Sequence, residues 1–128
     1  MKLSLRSEYA LLALIHLGRN SKASSLSDIA TTLQLPQDFL LEVLTVLCHS
    51  QYVLVQDSAY SLTKSPGSII VSEIIRLFDG ALAPLEPVSS KGYAVAPMDK
   101  EEKLVGLFEN LQEMILTRLD GTTIEQLI

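Results

Sequence analysis

Tryptophan is absent from this 128-residue chain, and aromatic residues make up only 5% of it. Stacking platforms for single-stranded nucleic acid need aromatic faces, so that class of binder is disfavoured. A single cysteine, Cys48, excludes a disulfide framework and any zinc or iron–sulfur site built from several thiolates of one chain. No stretch reaches the ~18 consecutive apolar residues that would span a bilayer. The apolar run from Tyr9 to Leu17, behind Lys2 and Arg6, loosely mimics a secretion leader. Glu8 and His16 interrupt it and no small-x-small cleavage site follows directly, so a cytoplasmic location is expected. Paired carboxylates for acid–base work, a glycine-rich phosphate loop and a metal-spaced His/Cys group are missing too. No catalytic residue, metal ligand or cofactor is therefore assigned, and enzymatic activity is not expected.

What the chain does have is apolar surface. Hydrophobic residues make up 48% and the mean hydropathy is +0.30, high for a lone small domain, which places some of that surface between subunits. The net charge of −5 is unevenly spread. Residues 1–64 hold five cations (Lys2, Arg6, Arg19, Lys22, Lys64) against five acids (Glu8, Asp28, Asp38, Glu42, Asp57). Residues 65–128 hold five cations against ten acids, so the whole excess lies there. If either half meets an anion such as DNA, it is the first.

Ser7 can cap a helix from about Glu8 to Leu17, with Gly18 as its stop. Ser25-Leu-Ser-Asp28 has capping-box spacing and opens a short helix carrying Ile29, Ala30 and Leu33 inward. Gln34-Leu-Pro36 ends it. A longer helix follows from near Gln37 to about Ser50, with Leu40, Val43, Leu44 and Leu47 as its buried stripe. Short helix, three-residue turn and longer helix is the arrangement of a helix-turn-helix, though an ordinary αα-hairpin has the same spacing. Tyr52–Val55 and Tyr60–Thr63 then alternate around Gln56-Asp-Ser-Ala59, as a β-hairpin would. Three helices and a two-stranded wing make a winged helix, whose second helix-turn-helix element enters the major groove of DNA.

Beyond a Lys64–Ser68 turn, Val71–Phe78 reads as a helix with Ile74, Ile75 and Phe78 inward and Gly80 as stop. Ala81–Pro97, with three prolines, reads as a linker. Asp99–Leu119 reads as a long amphipathic helix in which Leu104, Phe108, Leu111, Ile115 and Arg118 repeat at four, three, four and three. Leu107, Met114 and Leu119 widen the stripe. It either folds back on its own domain or, as favoured here, packs between subunits through Leu104, Leu107, Phe108, Leu111, Ile115 and Leu119. Thr122-Thr-Ile-Glu125 has capping-box spacing for a terminal turn. The expected fold is mainly α with a small β-hairpin. Residues 1–80 form a winged helix-turn-helix, 81–98 a linker, and 99–128 a dimerisation helix with a C-terminal turn.

Several segments in this order resemble the Rrf-two family of bacterial transcriptional regulators. They are Met1-Lys-Leu-Ser-Leu-Arg-Ser-Glu-Tyr-Ala-Leu-Leu-Ala-Leu14, Ser25-Leu-Ser-Asp-Ile-Ala30, Leu35-Pro-Gln-Asp-Phe-Leu40, Ile74-Ile75 with Gly80-Ala-Leu-Ala-Pro84, and Asp120-Gly-Thr-Thr-Ile-Glu-Gln-Leu127. The family includes the iron–sulfur cluster regulator, the nitric-oxide-sensing repressor and the cysteine-metabolism repressor. The resemblance implies a homodimer whose long C-terminal helix crosses to the partner and whose two winged helices read a palindromic site in double-stranded DNA. Two departures stand out. Many members hold a cluster through three cysteines ahead of the long helix, whereas residues 85–98 here contain none and Pro87 stands about where the first would be. Glu8 lies near the place where some members supply a carboxylate ligand. A cluster-less regulator is expected, because serine hydroxyls are poor substitutes for thiolate. The family wing usually reads Arg-Gly-x-x-Gly-Gly-Tyr. Here Val55-Gln-Asp-Ser-Ala-Tyr60 retains only the tyrosine.

The residues expected to meet DNA are therefore Lys2 and Arg6 on phosphates, by analogy with the family's basic arm, and Ser27 and Gln37 at helix starts. Asp38 and Glu42 can accept from cytosine but also repel phosphate. Tyr60 and Lys64 belong to the wing and its root. Cys48 beside His49 is read as a packing residue. The linker around Tyr93 is read as a place for a small effector or a protein partner, or as a segment that simply packs on the long helix. An interaction module of the same fold that has lost tight DNA binding is the alternative reading.

Overall fold

The computed structural model describes residues 2–80 and 97–128. Its first helix, α1, spans Leu5–Arg19, three residues earlier than the Ser7 cap predicts. Ser4 is the cap instead, accepting from the Ser7 amide at 3.2 Å. Ser7 lies inside the helix, fully buried. Gly18 does not stop the helix, which runs on to Arg19. What the glycine provides is a close approach, because a Cβ there would lie 2.7 Å from Cδ1 of Ile128. Leu5 and Leu12 stand exposed on the outer side of α1.

Strand β1 (Ser24–Ser25) leads into α2 (Leu26–Leu33), where the Ser25 hydroxyl accepts from the Asp28 amide at 3.1 Å as the capping box predicts. Gln34 closes α2 in the left-handed region (φ 57, ψ 48), and the Leu35 amide reaches back to the Ala30 carbonyl at 2.9 Å. That turn delivers α3, Gln37–His49. Leu40, Val43, Leu44 and Leu47 are all fully buried, as their spacing demands.

The hairpin is β2 (Val53–Gln56) and β3 (Ala59–Leu62), with Gln56 opposite Ala59 and the two-residue turn Asp57-Ser58 between them. Both turn residues have positive φ (51 and 62), the geometry of a type I′ turn. The sheet has three strands rather than two, because β1 pairs antiparallel with β3 in the order β1-β3-β2. The two residues of β1 carry no alternation of their own; only their pairing with β3 makes them a strand.

A single 3-10 turn, Pro66–Ser68, precedes α4 (Val71–Asp79), which ends at Gly80 (φ 75). The expected linker falls almost wholly on residues 81–96, outside those described. The chain resumes in a 3-10 turn, Pro97–Lys100, and α5 spans Glu102–Asp120. Its C-terminal end returns to the winged helix. Ile70 bridges to Thr123, the Ile124 amide donates to the Ile69 carbonyl at 2.9 Å, and Ile124 is fully buried in the common core. The expected Thr122–Glu125 capping box does not form. The Thr122 hydroxyl bonds back to the Arg118 carbonyl at 2.7 Å, and the Thr123 amide is taken by Gln126 Oε1 at 3.1 Å.

Candidate nucleic-acid interface

The outward face of α3 is the natural candidate. With Leu40, Val43, Leu44 and Leu47 turned inward, Gln37, Asp38, Leu41, Glu42, Thr45 and His49 stand exposed on the other side. Pro36 is the N-cap and supplies no side-chain hydrogen bond. The first amides of α3 therefore lack a capping side chain at an exposed end, apart from Phe39, whose N–H donates to Asp38 Oδ1 at 2.9 Å. Leu41, Thr45 and His49 were missed in sequence. The signal for them is simply their position, one helical turn apart on the face opposite the buried stripe. This face holds two acids and no lysine or arginine.

Cations flank it. The Tyr9 and Phe39 rings meet edge to face with centroids 5.0 Å apart, which sets the start of α1 beside the start of α3. Exposed Arg6 lies one turn before Tyr9 on α1, and exposed Lys2 precedes that helix. The Arg6 guanidinium lies 5.9 Å from the Phe78 ring centroid. At the other end, Tyr52 follows α3 directly, and the Lys64 ammonium sits 4.6 Å above its ring. The Tyr52 hydroxyl donates to Glu73 Oε2 at 3.2 Å. Burial raises the Tyr52 pKa, and the Glu73 charge and hydrogen bond raise it further. A 13-residue helix is about 20 Å long, so these two cationic ends are well separated.

Ser27 is exposed in the first turn of α2, its helix capped by Ser25. Tyr60 is placed differently from expectation. It is only 8% exposed and packs in the core, where burial foremost raises its pKa and the nearby Cys48 adds to this. Alternation on β3 turns it inward, which makes it a packing residue of the wing root. The wing surface is left to Leu54, Val55, Gln56, Asp57 and Ser58, all exposed, with Asp57 the single charge between residues 51 and 63.

Along α5, no side chain reaches full burial. Of its large apolar side chains, Leu104, Leu107, Leu111 and Met114 are exposed, Met114 the most at 61%, and they repeat at three, four and three. Phe108 and Ile115 are half-buried, and Leu119 packs against the core of its own subunit with Leu116. The helix therefore carries two apolar faces, one spent within the subunit and one uncovered by the described residues.

The model of the Rrf2 family, described as iron-dependent transcriptional regulators, matches residues 3–128. An Rrf2-like helix-turn-helix transcriptional regulator of Rhodobacter capsulatus is 28% identical, over 94% of this chain and 88% of its own. The transcriptional regulator CymR of Bacillus subtilis is 27% identical, over 99% and 89%. The solved structure of B. subtilis CymR, the global cysteine regulator, superposes with a TM-score of 0.73 at 26% identity, covering 99% of this chain and 95% of that one. IscR of T. potens shares the fold, with a TM-score of 0.66 at 21% identity over 99% and 85%.

The donor set does not fit a thiolate-held iron–sulfur cluster. The sole thiol, Cys48, is half-buried on α3, and burial pushes its pKa up, away from the thiolate form that ligates metal. Among the described residues no group of three or more His, Cys, Asp or Glu side chains is placed to hold a metal ion. By its match over residues 3–128 and by its winged-helix architecture, the chain belongs to the Rrf2 family of transcriptional regulators.

Proposed function

We propose that the protein is a homodimeric, cytoplasmic DNA-binding regulator that reads a palindromic site without an iron–sulfur cluster. The observation that carries this reading is the uncovered outward face of α3, headed by Gln37 and flanked by Arg6 and Lys64, in a fold that CymR shares. In this reading the Gln37 amide pairs with a base edge, Ser27 and the first amides of α3 take phosphates, and Lys2 and Arg6 fix the register. Asp38 and Glu42 accept from cytosine amino groups. Residues 1–80 are the reading unit and α5 the dimerising one, through the exposed seam Leu104, Leu107, Leu111 and Met114, with Phe108 and Ile115 at its margin. Leu119 is spent within the subunit.

Selection from random duplexes, followed by anisotropy at several salt concentrations, tests this. A regulator prefers its palindrome over random DNA by about 10³-fold or more. The nearly uncharged wing and the two acids on α3 favour a second reading, a protein-interaction module of the same fold. Flat, weak binding to every duplex would favour that alternative. Protein purified without oxygen should be colourless. A brown preparation would refute the cluster-less part of the proposal.

A further inference from the structure

At the root of the wing lies a concavity that shares only Lys64 with the reading of α3. It is about 230 Å³, below the roughly 300 Å³ at which pockets begin to hold drug-sized ligands, so it suits an ion or a small group. Asn20, Ser21, Lys22, Ser61 and Lys64 contribute its polar lining, with Leu17, Gly18, Leu62 and Pro66 as walls. No carboxylate lines it. Glu125 lies against Gly67, next to Pro66, but is not part of the groove. Two ammonium groups, two hydroxyls and a carboxamide can all donate, and that donor set is matched by a tetrahedral oxyanion.

The C-terminal end of α1 opposes an anion here, since a helix C-terminus acts as roughly half a negative charge. Two lysines outweigh it, and the Asn20 amide already caps the His16 carbonyl at 2.6 Å. Lys64 is held over the Tyr52 ring, which limits the entropy lost when it engages a ligand.

We infer that the groove between the end of α1 and the root of the wing, lined by Lys22, Lys64, Ser21, Ser61 and Asn20, is a binding site for a phosphate-type oxyanion. The oxyanion is either a backbone phosphate of bound DNA or a free inorganic ion. The site itself does not depend on the DNA reading, because inorganic phosphate alone probes it.

The experiment is an amide chemical-shift titration of the full chain with sodium phosphate, against sodium chloride at equal ionic strength. Saturable shifts should cluster on Asn20–Lys22 and Ser61–Lys64. A K22A/K64A double variant should weaken affinity by about tenfold or more, while K103A on α5 leaves it unchanged. Shifts no larger than those in chloride, or unaltered in the double variant, overturn the site. DNA titrations of K22A alone, which leaves the Lys64 flank of α3 intact, then separate the sources. A salt slope shallower by about 0.9 for each phosphate no longer neutralised identifies the backbone. An unchanged slope alongside weakened phosphate binding identifies a free anion. If the protein bound no DNA at all, the phosphate titration would still decide the site.

Discussion

Ser7 donates a 2.8 Å hydrogen bond from Oγ to Oδ2 of Asp79, 72 residues away, and the Ser4 amide donates to the same oxygen at 3.3 Å. This carboxylate fastens the start of α1, with its flanking Lys2 and Arg6, to the end of α4. Burial would raise the Asp79 pKa, but the bonds from Ser4 and Ser7 more than offset it, and the group is held below its usual 3.8. Stability from the clamp is therefore full above the unfolded-state value and is lost as pH falls through the lower folded-state value. Urea midpoints measured from pH 6 downward should drop more steeply for the natural protein than for Asp79→Asn. Ser7→Ala should cost about 1.5–3 kcal/mol at neutral pH, in the range of hydrogen bonds to charged groups.

Three turns hold residues other than glycine where glycine is favoured, Gln51 after α3 (φ 66) among them. Gln34 closes α2 at φ 57, and Ser58 closes the wing at φ 62. Gln34→Gly and Ser58→Gly should each stabilise the fold by up to about 1 kcal/mol, read as a raised thermal midpoint.

The exposed seam of α5 predicts a clean separation of assembly from folding. Leu107→Glu should yield a monomer by sedimentation with an unchanged circular dichroism spectrum, because Leu107 is 53% exposed within the subunit. Leu119→Ala should instead lower the unfolding midpoint, since Leu119 packs on its own core.

The wing predicts a gain of function. Val55 is exposed on β2, in the wing segment where the resembling family pattern carries an arginine. Val55→Arg should strengthen binding to every duplex alike and steepen the salt slope by about 0.9. Arg6→Ala should do the reverse, also without changing sequence preference.

The helix-turn-helix was legible because its signals are local. The Ser25 cap and the three-one-three stripe of α3 decide their own neighbourhoods. What escaped reading depends on distant partners. Ser4 and Ser7 are both competent caps, and only Asp79 shows why Ser7 is buried inside the helix. β1 exists through β3. Tyr60 had the alternation of an inward residue, yet the resemblance to the family wing drew it to the surface. On α5 the sequence shows a broad apolar band, and only packing reveals that Leu116 and Leu119 face home while Leu107 and Met114 face away. On the candidate interface the outward start of α3 was legible in Gln37, Asp38 and Glu42, but its exposed face was only half read. Leu41, Thr45 and His49 join it by geometry rather than by chemistry.

The short sheet-like junction of Ile69 and Ile70 with Thr123 and Ile124 has a mechanical consequence. It ties the C-terminal end of α5 to the body that carries α3, with Ile124 buried in the common core. In the proposed dimer, the angle between the two α5 rods would set the pitch between the two reading heads. Operator spacing would thus be set by rod geometry as much as by the heads themselves.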